Sequence, residues 1–171
     1  MAPDPQRKDV TLRPGDYAVG DAHCCMRTVL GSCVSITLWH PRRRIGAMSH
    51  FLLAARPASA GRELDARYGE DALALMLRDL ATAGVPAQEC EAKIFGGGNM
   101  FPEQDSPHAM HVGRRNGEAA RGLLLARHIA VHSESLFGIG HRQIIFDVAS
   151  GDVWARQIHP TPSNFTPMDH S

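Results

Sequence analysis

Cys33 and His50 form a pair whose residue types and separation could do covalent chemistry. The cysteine lies in Leu30-Gly31-Ser32-Cys33-Val34 and the histidine in Gly46-Ala47-Met48-Ser49-His50-Phe51. Between them His40-Pro41-Arg42-Arg43-Arg44 reads as a turn. Val34, Ile36 and Leu38 alternate with Ser35, Thr37 and Trp39, the period of a strand, and Ile45 to Leu53 returns as a second strand. A hairpin turning at Pro41-Arg42 places Cys33 directly opposite His50, on one face, with Cα atoms roughly 4.5–5.5 Å apart. One extra loop residue would send His50 to the other face.

The chemistry needs such a pair. A free thiol, with a pKa of about 8.5, is only a few per cent thiolate at neutral pH. A neighbouring imidazole can take its proton and form a thiolate–imidazolium pair. With an amide substrate the same imidazole must return a proton to the leaving nitrogen, because amide anions do not depart. Gly31-Ser32 before the cysteine permits a tight turn that exposes the thiol and aims backbone N–H groups at an oxyanion. The same residues also have a purely structural reading. A lone cysteine in a strand is commonly a small core hydrophobe, and a histidine there a satisfied structural side chain.

The elements around the pair alternate between strand and helix signals. Tyr17 to Val19 and Cys24 to Leu30 precede the hairpin as short strands. A helix is expected over Tyr68 to Ala83, where Ala72, Leu75, Met76, Leu80 and Ala83 recur at helical spacing before Gly84 and Pro86. Ala92 to Phe95 runs as a strand into Gly96-Gly97-Gly98, and a second helix is expected over Arg114 to His128. Ile129 to Phe137 is a strand, and Gln143–Val148 with Val153–Ile158 is a hairpin through Ser150-Gly151. The sum, about seven strands and two helices, is an α+β domain over residues 15–158. Residues 1–14 read as a flexible arm and 159–171, with three prolines, as a disordered tail.

Composition narrows the class. A chain of 171 residues with 43% hydrophobic and 21% charged residues is globular and long enough to bury a core without staples. Eighteen basic and 18 acidic residues balance, which argues against a nucleic-acid or membrane-surface protein. The amino-terminal segment lacks the apolar stretch of a signal peptide, and no run approaches the length of a membrane span. The four cysteines lack disulfide-framework spacing, and a cytoplasmic protein with reduced thiols is expected.

Five segments in order resemble the CheD family, the chemoreceptor glutamine deamidases of bacterial chemotaxis. They are Leu30–Val34, Gly46–Phe51, Lys93-Ile94-Phe95-Gly96-Gly97-Gly98-Asn99-Met100-Phe101, Val112-Gly113-Arg114-Arg115-Asn116, and Arg142 to Val153. The resemblance implies packed mixed β-sheets with flanking helices, similar to the catalytic domain of cytotoxic necrotizing factor toxins. It implies Cys33 as nucleophile, His50 as general base and acid, and Thr28 as the third polar residue, which orients His50. The substrate would be a glutamine side chain on a chemoreceptor helix, hydrolysed to glutamate through a thioester without cofactor or metal. A CheC-type chemotaxis phosphatase is the partner implied by an alternative reading, in which the chain is a regulatory binding module.

Other features carry two readings each. Gly96-Gly97-Gly98 lacks the Lys-Ser/Thr of a phosphate-binding loop, so either it packs against the site, with Gly97 beside the substrate, or it is a plain tight loop. Gly31 and Ser32 are candidates for oxyanion or substrate contact. Adjacent Cys24 and Cys25 point to opposite faces of a strand, which suits one core residue and one exposed thiol better than a metal site. Arg42-Arg43-Arg44 is a solvated hairpin tip or a steering patch. Asn116 could hydrogen-bond near the site or cap the second helix.

Overall fold

The computed structural model describes residues 4–59, 61, 63–102 and 107–158; the expected tail from His159 lies outside them. In chain order the described strands are β1 (Lys8–Thr11), β2 (Tyr17–Gly20), β3 (Cys24–Leu30), β4 (Val34–His40), β5 (Ile45–Ser49), β6 (Glu91–Gly96), β7 (Val131–Leu136), β8 (His141–Asp147) and β9 (Val153–Ile158). Helix α1 (Gly69–Thr82) lies between β5 and β6, and α2 (Pro107–Ala126) between β6 and β7.

The alternation in Val34–His40 produces a strand, but one buried on both faces. It sits in the middle of a five-stranded mixed sheet ordered β2-β5-β4-β6-β7. Val34, Ile36 and Leu38 face the helices, packing in one core with Leu73, Met76 and Leu80 of α1 and Ala120 and Leu124 of α2. Trp39 and Met48 face the other way, into a second core with Met26, Leu30, Ile144 and Phe146. Those four residues belong to a four-stranded sheet ordered β1-β3-β8-β9. The molecule is therefore three layers, helices on sheet on sheet, as the α+β reading with flanking helices expects.

The second layer was legible except at its edge. Lys8–Thr11 pairs in parallel with Cys24–Arg27, so part of the expected flexible arm is an ordered strand. Its polar sequence shows no alternation because it is an exposed edge, anchored by Leu12, which is 5% exposed. Cys25 is buried alongside Cys24, not exposed, and the Arg27 guanidinium donates to its sulfur at 3.8 Å. Long arginine stems cover apolar groups on faces that sequence period marks as solvent.

Helix α1 ends as its sequence indicates. Gly84 has a φ of +80°, its N–H reaches the Ala81 carbonyl, and Val85 N–H reaches that of Leu80. This is the paired hydrogen bonding of a glycine-terminated helix. Helix α2 begins seven residues before the expected Arg114, at Pro107. Proline suits a first helical position, and Gly113 disguises the segment as a loop. Among the described residues no helix is long and apolar enough to cross a membrane.

Candidate active site

The hairpin is longer at its turn than the sequence reading allowed. His40 faces Ile45 and Thr37 faces Met48, so four residues, Pro41 to Arg44, make the loop, with Arg44 in the left-handed region at φ +51°. Val34 then faces Phe51, and by the same register Cys33 falls opposite Leu52 and His50 opposite Ser35. Cys33 and His50 are not directly opposed. They are diagonal neighbours, and a two-residue shift keeps them on the same face, where a one-residue shift would not. That face looks toward the four-stranded sheet, the side on which Met48 and Trp39 lie.

His50 is held from the segment before β2. Gly15 N–H donates to the His50 carbonyl at 2.8 Å, and His50 N–H donates to the Asp16 carbonyl at 3.0 Å. The Arg13–Asp16 turn is locked in its own right, with Arg13 N–H on the Asp16 carboxylate and Asp16 N–H on the Arg13 carbonyl, both at 2.9 Å. Gly15, at φ +90°, supplies the left-handed residue this turn needs.

The ring of His50 is 2% exposed and meets Thr28 across the two sheets, Nδ1 to Oγ1 at 2.7 Å. Thr28 itself donates to the Leu12 carbonyl at 2.8 Å. A hydroxyl has one proton, and a carbonyl can only accept. The proton of Thr28 is thus committed to Leu12, and Nδ1–H of His50 donates to Thr28. The remaining ring nitrogen, Nε2, is left unprotonated. Burial pushes the imidazole down from 6.5 to about 4, opposed by the Asp16 carboxylate. Burial also raises the Cys33 thiol above its ordinary value. At neutral pH the resting pair is therefore a neutral thiol and a neutral imidazole, not the thiolate–imidazolium pair. Among the described residues no hydrogen bond joins the Cys33 sulfur to His50.

The turn that carries Cys33 is tied down by its carbonyls. Gly98 N–H donates to Gly31 at 2.9 Å and Gly97 N–H to Cys33 at 3.0 Å. The Asn116 side chain donates to Ser32 at 3.1 Å and to Leu52 at 2.8 Å. Asn116 lies within α2, so it clamps the cysteine turn to the strand that carries the histidine; it does not cap the helix. The N–H groups of Gly31, Ser32 and Cys33 have no acceptor among the described residues. Three consecutive carbonyls fixed and three donors unused is an arrangement that can receive an oxyanion.

Close backbone approach explains the glycines. A Cβ at Gly96 would lie 2.2 Å from the Cys33 carbonyl oxygen, and one at Gly113 would lie 2.5 Å from the Gly97 carbonyl oxygen. The glycine run packs against the cysteine turn. Arg142 is a further positioning group that sequence reasoning left inside a motif. Its buried guanidinium donates to the carbonyls of Ser135 and Phe137. Phe137 N–H in turn donates to the Gly96 carbonyl at 2.8 Å. Leu12, Gly15 and Asp16 were missed because they fell in or beside the expected arm. The Arg42–Arg44 tip lies at the far end of β4 from Cys33; Arg42 pairs with Glu89 at 2.8 Å and Arg43 caps α1 through the Ala83 carbonyl.

The family model described as CheD chemotactic sensory transduction matches residues 52–157. A protein of Albidiferax ferrireducens named "Probable chemoreceptor glutamine deamidase CheD 2" is 61% identical over 89% of this chain and 88% of its own length. The chain belongs to the CheD family. CheD relatives from Chromobacterium violaceum and Dechloromonas aromatica, bearing the same probable deamidase name, are 42% and 46% identical over 90% and 85% of this chain. The match to the CheD model begins just after His50, so it covers the glycine run, Asn116 and Arg142 but none of Thr28, Cys33 and His50. The stretch shared with the Albidiferax CheD protein leaves too few residues outside it to omit those three.

Proposed function

We propose that this protein hydrolyses the side-chain carboxamide of glutamine residues on chemoreceptors, giving glutamate and ammonia. The observation that carries this reading is the oriented imidazole of His50. Its Nδ1 proton is spent on Thr28, and its unprotonated Nε2 is on the strand face that Cys33 shares.

In the proposed reaction the Cys33 sulfur attacks the carboxamide carbon while His50 Nε2 takes the thiol proton. Because both groups rest neutral, the transfer accompanies attack instead of preceding it. The tetrahedral oxyanion is received by the unused N–H groups of the Gly31–Cys33 turn. Collapse expels ammonia, which carries the proton from His50, and leaves a γ-glutamyl thioester on Cys33. Water, deprotonated by His50, then attacks the thioester. Sulfur leaves with that proton, and the free enzyme and a glutamate side chain result. Thr28 holds the ring in one tautomer throughout.

On this reading the protein works in the cytoplasm on the receptor's signalling helices. Incubation with a receptor cytoplasmic fragment, followed by mass spectrometry of its peptides, tests the activity. Wild type converts glutamine to glutamate, and Cys33→Ala and His50→Ala do not. Conversion by Cys33→Ala at the wild-type rate would eliminate the mechanism.

A further inference from the structure

A cleft of about 260 Å³ opens beside the cysteine turn, lined by Gly97, Asn99, His111, Arg114, Phe137 and Gly138, with Ile139 at its edge. It adjoins the site directly, since Gly97, which lines it, donates its N–H to the Cys33 carbonyl. Its size suits one side chain and is too small for a cofactor.

The polar groups of this cleft are donors. The Arg114 guanidinium lies 4.9 Å from the centroid of the Phe137 ring, which fixes its stem, while its side chain stays 61% exposed. Arg114 also forms an ion pair with Glu118, one turn on along α2, at 3.6 Å, and Glu118 does not line the cleft. Arg121, also close to the Phe137 ring, is held more tightly, by Glu134 through two nitrogens. The Asn99 side-chain oxygen accepts from Phe101 N–H at 3.0 Å, which leaves its NH₂ as the group that can donate. His111 adds an imidazole from the exposed side of α2. No carboxylate lines the cleft among the described residues.

From this arrangement we infer that the cleft is a specificity subsite for a carboxylate, a glutamate or aspartate side chain of the substrate protein close to the glutamine that Cys33 attacks. This rests on the deamidase reading. Residues three or four apart on a helix are neighbours at about 5–6 Å, so an acidic residue one turn from the target would enter the cleft as the glutamine enters the site. Arg114 supplies the charge, and Asn99 supplies a directed hydrogen bond. The same cleft discriminates against a basic neighbour.

The test compares glutamine-containing receptor fragments with glutamate, glutamine or lysine one turn from the target. For wild type, KM at low salt should be about fivefold lower with the glutamate neighbour than with glutamine, a gain that salt erases, as for one partly exposed ion pair. Arg114→Gln should remove this preference and leave kcat unchanged, and Arg114→Glu should favour the lysine fragment. Equal effects of Arg114→Gln on all three fragments would overturn the subsite. A fluorescently labelled fragment bound to the Cys33→Ala protein provides a reading independent of turnover. Neighbour-dependent binding without any conversion by wild type would retain the subsite and reject the deamidase reading.

Discussion

Thr28 and His50 come from different sheets and meet at 2.7 Å, Oγ1 to Nδ1, in the layer between them. The contact is directional because the threonine proton is already committed to the Leu12 carbonyl. Thr28→Val should therefore lower kcat about 10²-fold, at the low end of what positioned acid–base groups contribute, and Thr28→Ser should keep most of the activity. The ¹⁵N shifts of the His50 ring check the cause. They should report Nδ1–H in wild type and a mixture of tautomers in Thr28→Val.

His50 is held neutral by burial, its pKa down from 6.5 to about 4. The acid limb of kcat/KM should accordingly lie near pH 4, not near 6.5. Stability has a linked dependence. Between pH 6.5 and about 4 the unfolded chain takes up a proton that folded His50 refuses, so the folded state loses stability as pH falls through that window. The contribution is on the order of 3 kcal/mol. Urea melts at stepped pH should show the decline, and His50→Gln should flatten it.

Asn116→Ala should cost roughly 1–2 kcal/mol, because it leaves the half-buried Ser32 and Leu52 carbonyls without their donor. Asn116→Asp should be worse, since it aims a carboxylate oxygen at two carbonyls. Thermal unfolding measures both. Their loss of kcat should exceed what the unfolded fraction accounts for, because the clamp spans the cysteine and histidine segments.

Glycines in α2 should divide by what they touch. Gly113→Ala drives a Cβ against the Gly97 and Gly98 carbonyls and should lower the melting temperature and the activity together. Gly122→Ala meets nothing within 4 Å and should stabilise by about 0.5–1 kcal/mol through helix propensity alone. Differential scanning calorimetry separates the two.

Cys33 is the partly exposed cysteine of the four, the others being buried. A maleimide should label it first in the native protein. Because burial raises the thiol, the rate should go on rising with pH beyond the range in which an ordinary free thiol levels off. Peptide mapping after brief labelling identifies the site.

The face shared by Cys33 and His50 was legible because period-two patterning survives a turn that is two residues longer than expected. The turn itself was not legible: an arginine at φ +51° gives no sequence signal of the kind a glycine would. Thr28 reached the site through family resemblance, and its partner Leu12 by neither route. Leu12 follows a polar edge strand, and only pairing with β3 reveals that it is core. Asn116 was visible as a motif residue, but its role required knowing that α2 starts at Pro107 and crosses the glycine run. Short-range pattern thus put Cys33 and His50 on one face, and long-range pairing supplied the groups that hold them there.

Strand β3 lies between β1, made just before it, and β8, which pairs Leu30 with Arg142 from much later in the chain. Thr28 itself faces Ile144 in that pairing. Contacts so distant in sequence form slowly and only once both partners exist. During synthesis the ribosome therefore releases Thr28, Cys33 and His50 early, yet the sheet that aligns them stays incomplete until the last strands emerge. On the proposed mechanism, a nascent or prematurely ended chain would carry every reacting group and still leave its targets untouched.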